Sequence, residues 1–452
     1  MPIDARQMAL SVLNRLQDEN KTLDTIMEEA YASDVLHDKR EKALLQALVF
    51  GVLRWQGRLD WIIAQFSKSP LQRIEPEILN ILRLGLFQII YLSKIPVSAA
   101  VNTSVEMAKS TAPLWVVKFV NGVLRNAVRK HETLEFPDLH TDPVTALSAT
   151  KSFPRWLILR WLKRYGLEET EQLCDAINKI PPLTIRTNTI KATREELIKS
   201  LETGVEQPQP TRFSPDGITF SHPGVAIPDL PSFRQGWFQV QDEAAQLVTL
   251  MLNPQAEDTV LDACAGLGGK TGHIAQLMKN RGRIVAMDND SHKLERLKAE
   301  MQRLGVENTT VRCHDLTRPI SDEYHALFDR ILVDAPCSGL GVLRRNPDIK
   351  WRLSKKNFRN YQKRQIQFMD HLAPCIKPSG IIVYSVCSTE SEENEDVINA
   401  FLTTHSKFII DKELAYLPSQ IHSLVNEKGY MKTQPHAHHM DGFFAVVFKR
   451  NS

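Results

Sequence analysis

The sequence lacks the features that mark secreted, metal-binding and membrane-spanning proteins. None of its six cysteines is spaced as C-x-x-C, which argues against a disulfide framework or a zinc site and suits a reducing cytoplasm. Residues 1–6 do not begin a basic and then apolar leader. The most apolar stretch, 79–92, is interrupted by Asn80, Arg83 and Gln88, so it is too short and too polar to span a bilayer. We therefore expect a cytoplasmic protein with no metal ion and no membrane association.

A large excess of charge is also missing. The formal net charge is only +3, so the value for the whole chain says little about its partners. Locally, however, seven lysines and arginines accompany a single acid, Glu106, between residues 80 and 130. Such an excess suits a polyanion such as RNA, although an ordinary solvated helical face would show the same pattern.

The chain has the length of two or three domains. Residues 4–130 carry apolar residues at helical spacing and predict a bundle of five or more helices. Residues 131–152 contain prolines and polar residues and are predicted to be a linker. A small α+β segment follows, with predicted strands at 183–188 and 217–220 and a predicted helix at 192–201. This segment is either a second RNA contact or a spacer.

From residue 259 onward, strand-like and helical segments alternate, which predicts a parallel sheet with helices on both faces. The candidate strands are 259–263, 283–287, 309–312, 330–334 and 381–385. A further strand at 443–448 is expected to be antiparallel, at the edge of the sheet. Because ligands of such sheets bind at the carboxyl ends of the strands, the residues that follow the strands form the candidate site.

The stretch 259–272 is the centre of that candidate site. A strand containing Asp262 leads into a turn with three glycines and then into a helix from Lys270. Such a turn lets backbone N–H groups approach a ligand closely. A Walker loop would need glycine in place of Cys264, and the dinucleotide fingerprint would need glycine in place of Thr271. A nucleoside cofactor without a pyrophosphate, S-adenosylmethionine, fits the turn better.

Acidic residues follow the next three strands. Asp288 ends the second strand, 22 residues after Gly266, where a carboxylate can bind the ribose hydroxyls. Asp315 follows the third strand and suits the adenine amine, and Asp334 ends the fourth strand on the substrate side. We predict that all three acids contact the cofactor, although aspartate also favours turns at strand ends for purely structural reasons.

Two cysteines follow the fourth and fifth strands, Cys337 in Asp-Ala-Pro-Cys and Cys387 in Tyr-Ser-Val-Cys. Both should reach the same rim of the sheet. Attack of a thiolate on C6 of cytosine makes C5 able to accept a methyl group, and loss of the C5 proton then expels the cysteine. A buried free cysteine is otherwise only a small hydrophobic residue. The pattern alone does not decide which thiol attacks.

Several phrases in the second half of the chain belong together. They are Asp262-Ala-Cys-Ala-Gly-Leu-Gly-Gly-Lys-Thr, Asp334-Ala-Pro-Cys-Ser-Gly-Leu-Gly, Cys387-Ser-Thr with Glu392-Glu393-Asn394, and Asp441-Gly-Phe-Phe. With them, residues 239–450 resemble the RNA 5-methylcytosine methyltransferases. The resemblance implies that Cys387 is the nucleophile and that Cys337 assists proton removal or product release.

The same resemblance, together with the turn and the acids, defines the predicted cofactor site. Its residues are Cys264, Ala265, Gly266, Leu267, Gly268, Gly269, Lys270, Asp288, Asp315 and Asp334. The chain departs from the family pattern at Gly266-Leu267, where the family has Ala-Pro, and at Val386, where it has Thr. Because the turn works largely through its backbone, we expect cofactor binding to survive these changes.

Four phrases in the first half resemble the helical bundle of the antitermination factor NusB, as found fused to RNA methyltransferases. They are Phe50-Gly-Val-Leu-Arg-Trp, Ile81-Leu-Arg-Leu-Gly-Leu-Phe-Gln, Ile95-Pro-Val-Ser-Ala-Ala-Val-Asn and Phe119-Val-Asn-Gly-Val-Leu-Arg. This resemblance implies an RNA-binding module. The two resemblances together imply 16S ribosomal RNA as the partner, with nucleotide 967 as the target.

A basic segment with an aromatic residue follows Cys337 and covers residues 343–352. We predict that Arg344, Arg345 and Lys350 in this segment contact the RNA substrate, with an ordinary solvated loop as the alternative.

The predicted protein is α/β. A class I, Rossmann-like methyltransferase domain occupies 237–452, an all-α NusB-like domain 1–135, and a linker with a small α+β subdomain 136–236. We expect a monomer that methylates C5 of a cytosine with S-adenosylmethionine. A cytosine of tRNA or of another rRNA, or a non-catalytic role in RNA binding, are the alternatives.

Overall fold

The computed structural model describes residues 4–19, 21–33, 38–221 and 223–452. The first three residues of the N-terminal sequence discussed above lie outside this range. By internal packing the chain forms two compact units, one of Met1–Lys179 with Leu343–Arg352 and one of Ile180–Val342 with Leu353–Ser452. Residues 136–179 therefore pack with the helical unit, whereas the sequence grouped them with the small α+β subdomain.

The helices are α1 (Ala5–Asp18), α2 (Leu23–Ala32), α3 (Lys39–Phe66), α4 (Pro76–Tyr91), α5 (Val97–Thr111), α6 (Leu114–Lys130), α7 (Pro143–Thr150), α8 (Arg155–Asn178), α9 (Arg194–Leu201), α10 (Pro231–Arg234), α11 (Glu243–Leu252), α12 (Gly269–Leu277), α13 (Ser291–Leu304), α14 (Ile349–Arg352), α15 (Lys355–Leu372), α16 (Glu395–Thr404), α17 (Ser419–His422) and α18 (Pro435–His438).

The strands are β1 (Leu183–Thr187), β2 (Gln209–Pro210), β3 (Gly217–Phe220), β4 (Phe238–Val240), β5 (Thr259–Asp262), β6 (Arg283–Asp288), β7 (Thr309–Cys313), β8 (Phe328–Asp334), β9 (Ile376–Val386), β10 (Phe408–Ile410), β11 (Tyr430–Lys432) and β12 (Phe444–Arg450).

The first unit is all-helical, and α1–α6 confirm the predicted bundle of five or more helices. Side-chain caps begin several of these helices: Asp4 accepts the N–H groups of Arg6 and Gln7 at the start of α1, and Asp38 accepts that of Arg40 at the start of α3. Such caps satisfy N–H groups that have no partner within the helix. The predicted linker at 131–152 is wrong in part, since it contains α7.

A small antiparallel sheet with strand order β2-β3-β1-β4 opens the second unit. The predicted strands at 183–188 and 217–220 pair with each other, with Ile185 opposite Ile218. Helix α9 begins with a capping box, in which the Thr193 side chain accepts the N–H of Glu196 and the Glu196 side chain accepts that of Thr193. The segment is therefore a folded α+β layer.

The larger sheet has the order β10-β12-β9-β8-β5-β6-β7, and β11 pairs with β12. Strands β9, β8, β5, β6 and β7 are parallel, as predicted. Strand β12 is antiparallel, but its predicted place at the edge is wrong, because β10 and β11 pair with it on the side away from β9. Strands β10 and β11 are too short to show the alternation of apolar and polar residues by which a strand is predicted.

Helices cover both faces of this sheet, and alternation along the strands sends neighbouring residues into different cores. Val260 and Ile284 pack into one hydrophobic core, whereas Leu261 and Val285 pack into the other. The carboxyl ends of β5, β6 and β8 therefore lie side by side between two packed layers, where a ligand can be bound. In the described part of the chain, no helix is both long and apolar enough to cross a membrane.

Candidate active site

The glycine turn between β5 and α12 is built from left-handed backbone conformations. Gly266 has φ of +54° and Gly268 has φ of +86°, values that favour glycine. A Cβ at Gly268 would also lie 2.8 Å from the Leu297 Cγ atom and 2.9 Å from the Met301 Cε atom, whereas a Cβ at Gly266 would meet no atom of the described residues within 4 Å. Gly268 is thus required by packing as well as by φ, and the space beside Gly266 is open.

Asp288 holds this turn against the end of β6. Its Oδ2 atom accepts the N–H of Gly266 at 2.9 Å, and its Oδ1 atom accepts the N–H of Asp290 at 3.0 Å. These backbone donors fix the carboxylate beside the turn, and its remaining lone pairs are available to a ligand. The glycine turn and the acid that ends the second strand are therefore adjacent, and the contact of Asp288 with a cofactor stays a prediction.

A cleft lies beside the turn. Its lining includes the predicted residues Cys264, Asp288 and Asp315. The lining residues that the sequence did not predict are Ala263, Asn289, His314, Leu316, Pro336, Arg364 and Phe368. Asn289 and His314 directly follow strands, so strand position could have found them. Arg364 and Phe368 belong to α15, and no sequence signal linked that helix to the site.

Asp315 stays charged at the mouth of this cleft. Its Oδ1 atom accepts the N–H of Thr317 at 2.9 Å, and the hydrogen bonds from Thr317 lower the pKa of Asp315. Leu267, in contrast, is 45% exposed and does not line the cleft.

Asp262 lies underneath the turn and was not among the predicted cofactor residues. It is 1% exposed, and its Oδ2 atom accepts the hydroxyl of Thr271 at 2.7 Å. Its Oδ1 atom has no partner among the described residues, and burial raises the pKa of Asp262 to about 6. A buried acceptor without a donor is costly, so a cofactor that brings a donor would satisfy it.

Arg186 connects the small sheet to the start of α12 and was also missed. It is 1% exposed and donates to the carbonyl of Gly269 at 2.8 Å and to Oε1 of Gln239 at 3.0 Å. Burial lowers the pKa of Arg186 to about 9. The α+β layer is therefore a structural support of the glycine turn, which neither the RNA-contact nor the spacer interpretation anticipated.

Lys270 and Asp334 form an ion pair between the start of α12 and the end of β8. The other oxygen of Asp334 accepts the hydroxyl of Ser385 at 2.8 Å, and the Lys270 amine lies 5.4 Å from the centre of the Phe443 ring. Side chains from two strands, one helix and the loop before β12 thus fix a carboxylate and an ammonium at the rim, beside the turn.

The two cysteines meet at this rim. The Sγ atoms of Cys337 and Cys387 are 3.3 Å apart, and both residues are half-buried. The hydrogen bond to Cys387, and then burial, raise the pKa of the Cys337 thiol well above its usual value. Cys337 therefore keeps its proton at neutral pH, next to the other sulfur.

The backbone around the cysteines is also tightly packed. The N–H of Gly341 donates to the Cys387 carbonyl at 2.9 Å, and a Cβ at Gly341 would lie 1.7 Å from the Gly442 carbonyl oxygen. Only glycine permits this approach, which joins the loop after Cys337 to the loop before β12.

The basic segment 343–352 is placed differently from the prediction. Lys350 is 1% exposed and Arg344 is 5% exposed. The Lys350 amine donates to the carbonyls of Arg54 at 2.7 Å and Ser152 at 2.8 Å and lies 4.1 Å from the centre of the Phe153 ring. Burial lowers the pKa of Lys350 well below its usual value. Lys350 is therefore an internal anchor of the helical unit, not a side chain exposed to RNA.

Two neighbours complete this anchor. The indole of Trp351 donates to the Leu53 carbonyl at 2.6 Å, and Arg54 donates to the Arg344 carbonyl at 2.7 Å. The predicted RNA contact of Arg344 does not fit this burial either. Arg345 is half-buried, and its RNA contact stays a prediction. In the described part of the chain, no group of three or more histidines, cysteines and acids could hold a metal ion.

Comparison with known families assigns most of the chain. Residues 249–449 match the family described as 16S rRNA methyltransferase RsmB/F. Residues 3–129 match the NusB family, and residues 153–227 match a ferredoxin-like domain of RsmF/B-like methyltransferases.

Individual relatives agree with this assignment. A protein named probable ribosomal RNA small subunit methyltransferase B from Synechocystis sp. is 36% identical over 99% of this chain and 100% of its own. One of the same name from Bacillus subtilis is 36% identical over 98% of each chain. The solved structure of a methyltransferase homolog from Pyrococcus horikoshii is 26% identical, with a TM-score of 0.58 over 68% of this chain and 99% of its own.

Proposed function

The chain belongs to the 16S rRNA methyltransferase RsmB/F family, with a NusB-family module before the catalytic one, and on this basis we propose that it methylates C5 of a cytosine in 16S rRNA with S-adenosylmethionine. The observation that carries the proposal is the pair of thiols, 3.3 Å apart, on the rim that also holds the Lys270–Asp334 ion pair. Methylation of a base nitrogen or of a ribose hydroxyl would not need two thiols there.

The residues around the glycine turn fit this cofactor. The open space beside Gly266, the fixed carboxylate of Asp288 and the cleft lined by Asp315 suit an adenosine. The unpartnered Oδ1 atom of Asp262 suits an amino group. When bound, the cofactor supplies an electrophilic methyl group on its sulfonium. Asp334 and Lys270 would face the cofactor and the base from the rim.

The two thiols have different roles in the reaction with the base. The thiolate of Cys387 adds to C6 of the cytosine, so that a sulfur–carbon bond forms and C5 becomes nucleophilic. Once C5 carries the methyl group, its proton passes to a water molecule and the same sulfur–carbon bond breaks, which restores the ring. Cys337 keeps its proton and lies within reach of the departing sulfur, so it can protonate that sulfur and speed release. The target base must leave any stack to reach the rim.

The finer assignment concerns the target. We propose nucleotide 967 of 16S rRNA, supported by the full-length likeness to relatives named methyltransferase B. A cytosine in tRNA or in another rRNA, and a non-catalytic role in RNA binding, are the competing functions. The cysteine pair favours catalysis over the last of these.

A single experiment separates the candidates. The protein is incubated with methyl-labelled S-adenosylmethionine and with unmethylated 16S rRNA, small-subunit particles or tRNA, and 5-methylcytosine is then mapped by sequencing. We expect one labelled cytosine in 16S rRNA. Label found only in tRNA would show that tRNA, and not 16S rRNA, is the substrate. The absence of label in every substrate would exclude the enzymatic function.

A further inference from the structure

Glu393 is a buried carboxylate whose described partners are all neutral. It is 0% exposed, and burial raises its pKa. A carboxylate removed from water is costly unless hydrogen bonds replace the lost solvation. The identity of its donors therefore shows what the side chain is used for.

Those donors belong to the residues directly after the two cysteines. The Oε1 atom of Glu393 accepts the N–H of Ser338 at 2.7 Å, and its Oε2 atom accepts the hydroxyl of Ser338 at 2.6 Å and that of Ser388 at 2.5 Å. Ser338 follows Cys337, and Ser388 follows Cys387. Because consecutive Cα atoms are a fixed distance of about 3.8 Å apart, holding the serines restricts the cysteines as well.

Gln365 extends the same arrangement to the other side of Cys337. Its Nε2 atom donates to the Pro336 carbonyl at 3.0 Å and lies 3.4 Å from Oε1 of Glu393. Glu393 is itself held in place, since the hydroxyl of Tyr384 donates to its backbone carbonyl at 2.6 Å. Residues on both sides of Cys337 are thus tied to one buried carboxylate network.

We infer that Glu393 is a positioning residue that clasps the Cys337 loop to the Cys387 loop and keeps the two sulfurs in contact. The inference rests on the proposed two-cysteine reaction for its catalytic meaning. Because Glu393 is 0% exposed, it acts through its hydrogen bonds to Ser338 and Ser388. Without the clasp, either loop can shift, and the thiol that protonates the departing sulfur is no longer beside it.

The test measures sulfur proximity separately from catalysis. The full chain is treated with diamide, which takes two electrons and two protons from the thiols as a Cys337–Cys387 disulfide forms, with no RNA or cofactor present. Single-turnover methyl transfer is measured in parallel. The variants are Glu393→Ala and Glu393→Gln, with Glu392→Gln as the matched control on the adjacent residue.

We expect Glu393→Ala to slow both disulfide formation and methyl transfer by roughly 10²-fold, since a misplacement of about 1 Å costs that much. Glu393→Gln keeps one acceptor oxygen and should be intermediate, and Glu392→Gln should match the wild type. If Glu393→Ala does not fold, Ser338→Ala and Ser388→Ala, each of which removes one hydroxyl donor, should slow both reactions in its place.

Disulfide formation and methyl transfer within about twofold of the wild type in folded Glu393 variants would overturn the inference, because misplacement by 1 Å predicts a far larger loss. Serine variants that react as fast as the wild type would overturn it as well. If the wild type transfers no methyl group, the proposed function fails, and the disulfide rates still decide whether Glu393 aligns the thiols.

Discussion

Two segments that looked functional in the sequence take opposite places in the structure. The cysteines after β8 and β9 lie at one rim with their sulfurs 3.3 Å apart. The basic segment 343–352, which begins six residues after Cys337, is instead buried within the helical unit through Lys350. The prediction for the two cysteines used strand topology, which determines where the ends of strands lie. The prediction for segment 343–352 used composition alone, and a basic residue beside an aromatic one also suits an internal anchor.

The largest expected effect tests the rim. Cys387→Ala should abolish methyl transfer, because no thiolate remains to add to C6. The measurement is incorporation of labelled methyl into 16S rRNA, with Cys375→Ala, a buried cysteine outside the site, as the control. If Cys387→Ala instead accumulates a covalent RNA adduct, Cys337 is the nucleophile and Cys387 assists release, which reverses the assigned roles.

A somewhat smaller effect is expected for Cys337→Ala. Attack by Cys387 should still occur, but release should slow without the neighbouring proton donor, so a covalent protein–RNA adduct should accumulate. A denaturing gel of protein mixed with RNA and S-adenosylmethionine shows the adduct as a slower band. Normal turnover with no such band would mean that Cys337 plays no part in release.

The buried segment can be tested through stability. Lys350→Met should leave the carbonyl of Ser152 without its donor, at a cost of about 1–3 kcal/mol for the unpaired group. The Arg54 carbonyl loses the Lys350 bond but lies within α3 and keeps its helical donor. Thermal or urea unfolding measures this loss, and RNA affinity of the folded variant should be unchanged. Lys356→Met, on the exposed face of α15, is the control. If the variant loses RNA affinity but not stability, the prediction that Lys350 contacts RNA is supported after all.

The smallest effect concerns pH and the buried Asp262 carboxyl beneath the glycine turn. The pKa of Asp262 is about 6 in the folded protein and about 3.9 in an unfolded chain. The folded state therefore binds the proton more tightly, so this contribution to stability is complete below about pH 4 and is lost as the pH rises to about 6. Asp262→Asn should remove that loss.

Unfolding temperatures measured from pH 4 to pH 7 for both proteins check this expectation. The advantage of Asp262→Asn should grow with pH and level off near neutrality, while cofactor affinity falls. Parallel curves across that range would show that the Asp262 carboxyl has an ordinary pKa.

The fold was predictable where the pattern was local. The apolar periods of residues 4–130 predicted the bundle, and the alternation after residue 259 predicted the five parallel strands. The interior place of β12 was not predictable, because it depends on β10 and β11, two strands of three residues each. The helix α7 was also missed, since Pro143 looks like a linker residue although it suits the first turn of a helix.

The residues of the site also divide into those with a local sequence signal and those without one. Asp288, Asp315, Asp334 and the two cysteines follow strands, and strand ends are adjacent in a parallel sheet whatever the intervening length. Arg186 reaches the end of the glycine turn from a different layer, and Arg364 reaches the cleft from the middle of a helix. Their roles depend on long-range packing, which leaves no local pattern in the sequence.

By itself, therefore, the sequence determined the order of the modules, the glycine turn and the chemical groups at the rim, because periodicity, glycine placement and strand-end position are local properties. Only the tertiary structure decided that Lys350 is buried, that Arg186 supports the turn and that Glu393 joins the two cysteine loops. Each of these depends on which distant groups meet a polar atom once water is excluded, and a buried charge is stable only where such partners are in place.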